Sequence, residues 1–255
     1  MNRQLPFAHL ISSWLAIAIA TVALAGVETK PSTAPVAISP VVYPFEALLA
    51  GKRGKVEADF TVDRQGRLLS VTILKSDAPE FSEAVRAHAE ATDFSFHAGV
   101  VGKMTQHRNE EIHTLHQNFE FEDRPRGKSL LSITTPTPAA LEVLKMLRND
   151  PATKEYGGAN NLDTPLQVVS HNKPVFPRQL QETHKEGSAT VEFYVGKDGG
   201  VLLPRAISAT APAFGYSACQ SVASWRFTAP VRNGKPVVVR VRIPVNYSLN
   251  STPEK

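Results

Sequence analysis

One offset governs this chain. Phe176 follows Tyr43 by 133 positions, and the same 133 separates Gly187 from Gly54, Phe193 from Phe60, Val195 from Val62, Gly199 from Gly66, Pro212 from Pro79, Phe214 from Phe81 and Phe227 from Phe94. A constant offset across apolar and turn positions means a tandem duplication, without gaps in that region. Whatever one half folds into, the other half inherits the pattern for.

The later half is the clearer of the two. Ala189, Val191, Phe193 and Val195 alternate with Thr190, Glu192 and Tyr194. Successive side chains of a strand point to opposite faces, so this alternation predicts a half-buried strand. Lys197-Asp198-Gly199-Gly200 supplies a turn, and Val201 to Ala209 returns as the second strand. Phe214, Ala218, Val222 and Trp225 fall on one face of an amphipathic helix. Asn233-Gly234 marks another turn before the last strand. There Val237, Val239, Val241, Ile243, Val245 and Tyr247 alternate with Val238, Arg240, Arg242, Pro244, Asn246 and Ser248. Strand, strand, helix, strand predicts an α+β module, a small antiparallel sheet with a helix packed on one face.

The earlier half repeats this in weaker form. Val56, Ala58, Phe60 and Val62 form the first strand, Gln65-Gly66 the turn, Leu69, Val71 and Ile73 the second strand, and Phe81, Val85 and Ala89 a helix face. Thr92 stands where Trp225 stands. The last strand, about Ile112 to Phe121, is interrupted by His113, His116, Gln117 and Glu120. Aligning Phe119 with Tyr247 implies that the loop before this strand has gained about four residues. The chain thus divides into an N-terminal apolar segment (1–26), a degenerate first module (35–123), a linker (124–162) and a second module (163–250). In the linker, Thr137-Pro138 predicts an N-cap and first-turn proline. Leu141, Val143, Leu144 and Leu147 then give a short helix that suits either an interdomain strut or a partner-binding face.

Composition narrows function. A net charge of +4 over 255 residues does not imply nucleic acid. From 35 to 123 there are nine Lys/Arg and fourteen Asp/Glu, whereas from 163 to 250 there are ten and five. Opposite signs suit docking of one module on the other, an anionic partner for the second, or merely solvated faces. Cys219 is the single cysteine, so no internal disulfide forms, and its place beside the helix stripe suits a small packed residue. Trp225 suits the core. On a strand, His113 and His116 point to opposite faces and so do not converge on a metal. No nucleophile elbow, phosphate-cradling loop or dinucleotide fingerprint occurs. The chain reads as a non-enzyme without cofactor, metal or small-molecule substrate.

The stretch from Pro6 to Val27 carries no Lys, Arg, Asp or Glu, and Ala23-Leu24-Ala25 fits a cleavage site. A secretory signal and a retained inner-membrane anchor both fit. Either carries the modules across the membrane.

Several features together resemble the C-terminal domain of the TonB energy transducers. They are Phe176-Pro177, the strand from Gly187 to Asp198-Gly199, Pro212 with Phe214, Trp225-Arg226-Phe227 with Pro230, and Asn233-Gly234-Lys235-Pro236 leading into Arg240-Val241-Arg242-Ile243-Pro244-Val245. The resemblance implies that the modules lie in the periplasm and that the last strand receives an extended segment from an outer-membrane TonB-dependent receptor by β-strand addition, in energy-coupled transport. By that analogy the receiving edge is Val239, Arg240, Val241, Arg242, Ile243, Val245 and Tyr247, with Arg240 and Arg242 attracting acidic residues. Pro244 lacks an N–H, which also suits an edge strand. The arginines serve equally to keep a bare edge from aggregating. Family members couple to an inner-membrane motor complex through an uncleaved anchor bearing a Ser and a His. Here His9 and Ser13 stand in the reverse order and take no such role. Only Val27 to Pro40 separates the apolar segment from the first module, and at about 3 Å per residue this tether does not cross a periplasm. A periplasmic interaction or scaffold module, touching an envelope partner or peptidoglycan without energy transduction, is the alternative.

Overall fold

A computed structural model describes residues 40–94, 112–124, 133–150 and 156–249. The apolar segment 1–26, and with it the choice between signal and anchor, lies outside the described residues. In order the elements are α1 (Phe45–Leu49), β1 (Gly54–Asp63), β2 (Leu68–Ser76), α2 (Pro79–Ala91), β3 (Ile112–Phe121), β4 (Ile133–Thr134), α3 (Pro138–Asn149), β5 (Val168–Ser170), α4 (Arg178–Glu182), β6 (Gly187–Val195), β7 (Val201–Ala209), α5 (Pro212–Ala223), β8 (Arg226–Phe227), β9 (Val231–Arg232), β10 (Lys235–Pro236) and β11 (Val239–Tyr247).

Each module is the expected α+β unit. The first sheet runs β2-β1-β3-β4, with β4 parallel to β3 and the other pairs antiparallel. The second runs β11-β6-β7, all antiparallel. The two cores are built alike. Phe81 stacks on Phe121 at 4.5 Å, and Tyr43 meets both rings edge-on. Phe214 stacks on Tyr247 at 4.5 Å, with Phe176 edge-on to both. Beneath each stack lies a glycine. A Cβ on Gly54 would sit 2.3 Å from the Phe81 ring, and one on Gly187 2.5 Å from the Phe214 ring. Prolines at the first turn of α2 and α5 supply a φ suited to a helix start.

These pairings correct the alignment of the third strand. Gly54 lies opposite Phe121 and Gly187 opposite Tyr247. The counterpart of Tyr247 is therefore Phe121, not Phe119, and the offset falls from 133 to 126, so the loop has gained seven residues rather than about four. The helix of the second module also stops at Ala223, short of Trp225. Trp225 remains half-buried at the edge of the second core, its indole N–H donating to the Asn172 carbonyl at 3.0 Å. Cys219 is buried on α5, where burial pushes its thiol up to about 12.

The second sheet departs from the half-buried expectation. Val191, Phe193 and Val195 face α5, yet Tyr194 and Glu192 on the opposite face are also buried. Tyr194, with Leu202 and Leu203 of β7, joins one apolar cluster with Phe45 and Leu48 of α1 and Val143, Leu144 and Leu147 of α3. The linker helix is thus a strut across this face, capped as expected by Thr137, whose Oγ1 accepts from the Ala140 N–H at 3.2 Å. Arg148 fastens it by donating to the carbonyls of Leu48 and Leu49. A register shift between Glu192 and Tyr194, with Leu203 at φ 51°, lets both Leu202 and Leu203 turn inward. On the other side α2 lies against α5. The modules form one compact unit.

Candidate functional site

β11 is the outermost strand of its sheet among the described residues. Its backbone groups alternate between β6 and the outside, as in any antiparallel edge. The phase is set by Arg240, whose N–H donates outward to the Gly157 carbonyl at 3.0 Å. With a two-residue period, Arg242, Pro244 and Asn246 also present their backbone groups outward. Pro244 therefore sits where a missing N–H removes no ladder bond to β6, the condition on which proline is tolerated in a strand.

The predicted edge residues divide into three groups. Val239, Val245 and Tyr247 are buried in the second core. Tyr247 also donates its hydroxyl to the Phe214 carbonyl at 3.2 Å, and burial raises its pKa to about 12. Val241 and Ile243 pack against the same core but stay half-open to solvent. Arg240 and Arg242 lie on the opposite face and differ from each other. Arg242 Nε donates to Glu192 Oε2 at 2.5 Å, while Arg205 Nη2 and Nε reach Glu192 Oε1 at 2.6 and 3.0 Å. Glu192 is 0% exposed. Burial opposes its ionisation, but donation from Arg242 and Arg205 outweighs it and holds the carboxyl below the usual range. Arg205 in turn lies over the Phe45 ring at 4.6 Å and 4.0 Å from Glu46 of the first module. With Glu46 this cluster balances two arginines against two glutamates, so the positive charge left beside β11 is that of Arg240.

Neither Glu192 nor the linker segment that meets Arg240 stands out in the sequence as part of this border. Glu192 was visible only as a polar alternation residue, because pairing with Arg205 and Arg242 needs the strand register. Gly157 and Gly158 form an isolated parallel bridge with Arg240, and Arg232 Nη2 donates to the carbonyls of Gly158 and Asn160 at 3.0 and 3.1 Å.

The corresponding edge of the first module is chemically different. Thr114, His116, Asn118 and Glu120 stand in place of Arg240, Arg242, Pro244 and Asn246. His116 Nδ1 lies 2.8 Å from Asp59, and Lys55 donates to Glu120 at 2.7 Å. At its end β4 pairs with Glu120 and Phe121.

A family model described as Gram-negative bacterial TonB protein C-terminal matches residues 39–121 and 172–249, together more than half of the chain. The chain is similar to Protein TonB of Vibrio cholerae serotype O1 (strain ATCC 39315 / El Tor Inaba N16961), 26% identical over 89 residues. That match covers 34% of this chain and 36% of that protein, so the chain spans about a third of that curated relative's length. It is also similar to the solution NMR structure of Pseudomonas aeruginosa TonB CTD, at 25% identity and a TM-score of 0.32, covering 38% of this chain and 96% of that one.

Proposed function

Because the chain belongs to the TonB C-terminal family and carries its domain twice, we propose that it works in the bacterial envelope by accepting an extended peptide along the open border of β11. The donor of that peptide is the N-terminal segment of an outer-membrane TonB-dependent receptor, and the process served is energy-coupled transport. One observation carries this reading. From Arg242 to Asn246 the border has no neighbouring strand among the described residues, while its backbone groups face outward. An added strand satisfies those groups, and its side chains cover the half-open Val241 and Ile243. Positive charge at Arg240 favours acidic residues in the incoming segment.

The test is calorimetric titration of the full chain with synthetic peptides matching receptor N-terminal segments. Binding is expected, with slowed amide exchange at Arg242 and Asn246. Arg240→Glu is expected to weaken it about tenfold, since reversal replaces one attraction by one repulsion, together about 1–2 kcal/mol. Arg242 is a poorer probe because its loss also strips a partner from Glu192. A folded chain that binds none of the peptides overturns the reading.

A further inference from the structure

We propose that residues 156–160 of the linker act as an internal strap over the first part of β11, which a long incoming strand must displace and a short one need not. This rests on the strand-addition reading of the same border. The strap is fastened unevenly. Downstream, Asp163 donates its N–H to the Val231 carbonyl at 2.8 Å, and its carboxylate accepts the N–H groups of Asn233 and Gly234, both at 2.8 Å. These bonds anchor it to the β9–β10 turn. Upstream, Tyr156 touches Tyr194 edge-on at 5.6 Å. Between these points the strap backbone meets β11 through the parallel bridge of Gly158 with Arg240 and the bond from Arg240 N–H to Gly157, and the small Ala159 side chain packs against the second core.

Two glycines at that contact bring no side chain to hold it. Arg232 steadies it from outside through the carbonyls of Gly158 and Asn160. The first outward-facing donor of β11 is therefore taken by the chain itself, while those at Arg242 and Asn246 lie beyond the strap. A segment paired only from Arg242 to Asn246 fits beside it. A segment running the length of β11, in either direction, needs the Arg240 N–H and must lift the strap first. Such a competitor lowers apparent affinity by the fraction of time it is closed.

Amide exchange and titration on the full chain test this with two receptor-segment peptides, one of five residues and one of ten. With the ten-residue peptide bound, exchange is expected to slow at Arg242 and Asn246, and the amide resonances of Gly158 through Asn160 are expected to move. With the five-residue peptide the strap amides are unchanged. Arg232→Ala loosens the strap and is expected to raise affinity for the long peptide about threefold to tenfold, the scale of one or two hydrogen bonds, and to leave the short peptide's affinity unaltered. Strap amide resonances that stay unmoved with the long peptide bound, or an Arg232→Ala effect equal for both lengths, overturn the strap and leave strand addition standing. No protection at Arg242 and Asn246 with either peptide removes strand addition itself, and the strap with it.

Discussion

Replacing both Arg205 and Arg242 by leucine is expected to destabilise the protein by about 3–5 kcal/mol at pH 7, the cost of leaving a buried charge without partners. The effect is lopsided because burial is lopsided. Arg205 and Arg242 side chains are 32% and 57% exposed, so each can reach water if Glu192 is lost. Glu192 is fully enclosed beneath the face that α1 and α3 cover. Glu192→Gln keeps the shape and some hydrogen bonding, and is expected to cost only about 1–2 kcal/mol. The pH dependence separates this cause from lost packing. In the native chain the Glu192 carboxyl is held low, so its contribution is complete above the ordinary glutamate pKa of about 4.3 and disappears as pH falls through the lower folded value. Without the arginines only burial acts, and the carboxyl moves up. Its penalty is then present at neutral pH and relieved as pH falls through the raised value. Urea unfolding at pH 7 and pH 4 should therefore show the gap between native and double variant narrowing toward acid. A gap of constant size would mean that the arginines act through packing alone.

The duplication was legible wherever aromatic and glycine positions had to be kept. Phe81 and Phe214 close over Gly54 and Gly187, and substitution of either member disturbs the other, so the 133 spacing survived. The third strand of the first module lies where the sequence put it, Ile112–Phe121, but its alignment slipped by two residues because its polar residues blurred the alternation and the loop before it had lengthened. Only the observed pairing of Gly54 with Phe121 sets its phase. The short helices α1 and α4 were not foreseen, since five residues are too few for a helical period to emerge. They occupy the same place in the repeat, Phe45–Leu49 against Arg178–Glu182, and have diverged in opposite senses. α1 kept Phe45 and Leu48, which close the far face of the second sheet, whereas α4 carries no buried residue. That asymmetry is why Glu192 and Tyr194, which look like solvent-facing residues in the sequence, are enclosed. The border of β11 was legible in outline through Pro244. The strap was not, because Gly157-Gly158 in a sequence signals only a break in regular structure.

Phe214→Ala and Phe81→Ala are each expected to cost about 3–5 kcal/mol, as deletion of a buried phenylalanine does where its surroundings cannot collapse. Both rings are buried, and each is gripped by a stacked partner, an edge-on partner and a glycine backbone. Such a loss is a large share of the roughly 5–15 kcal/mol that holds a typical domain. The more telling expectation is that both variants move the same transition. Tyr194, Leu202 and Leu203 of the second module belong to the core of the first, and α2 lies along α5. Glu90 on α2 also accepts the Arg178 N–H at 3.3 Å, and Arg178 donates to the Leu68 carbonyl. Unfolding the first module would strip the cover from one face of the second sheet, expose the Glu192 cluster and bare one side of α5. The native chain should then unfold in one step, with tryptophan fluorescence and far-ultraviolet circular dichroism coinciding, and each variant should shift that step as a whole. If Phe81→Ala instead splits it, leaving a second transition at the native midpoint, the strut and the shared core do not join the modules. The border of β11 would then belong to a domain that holds itself.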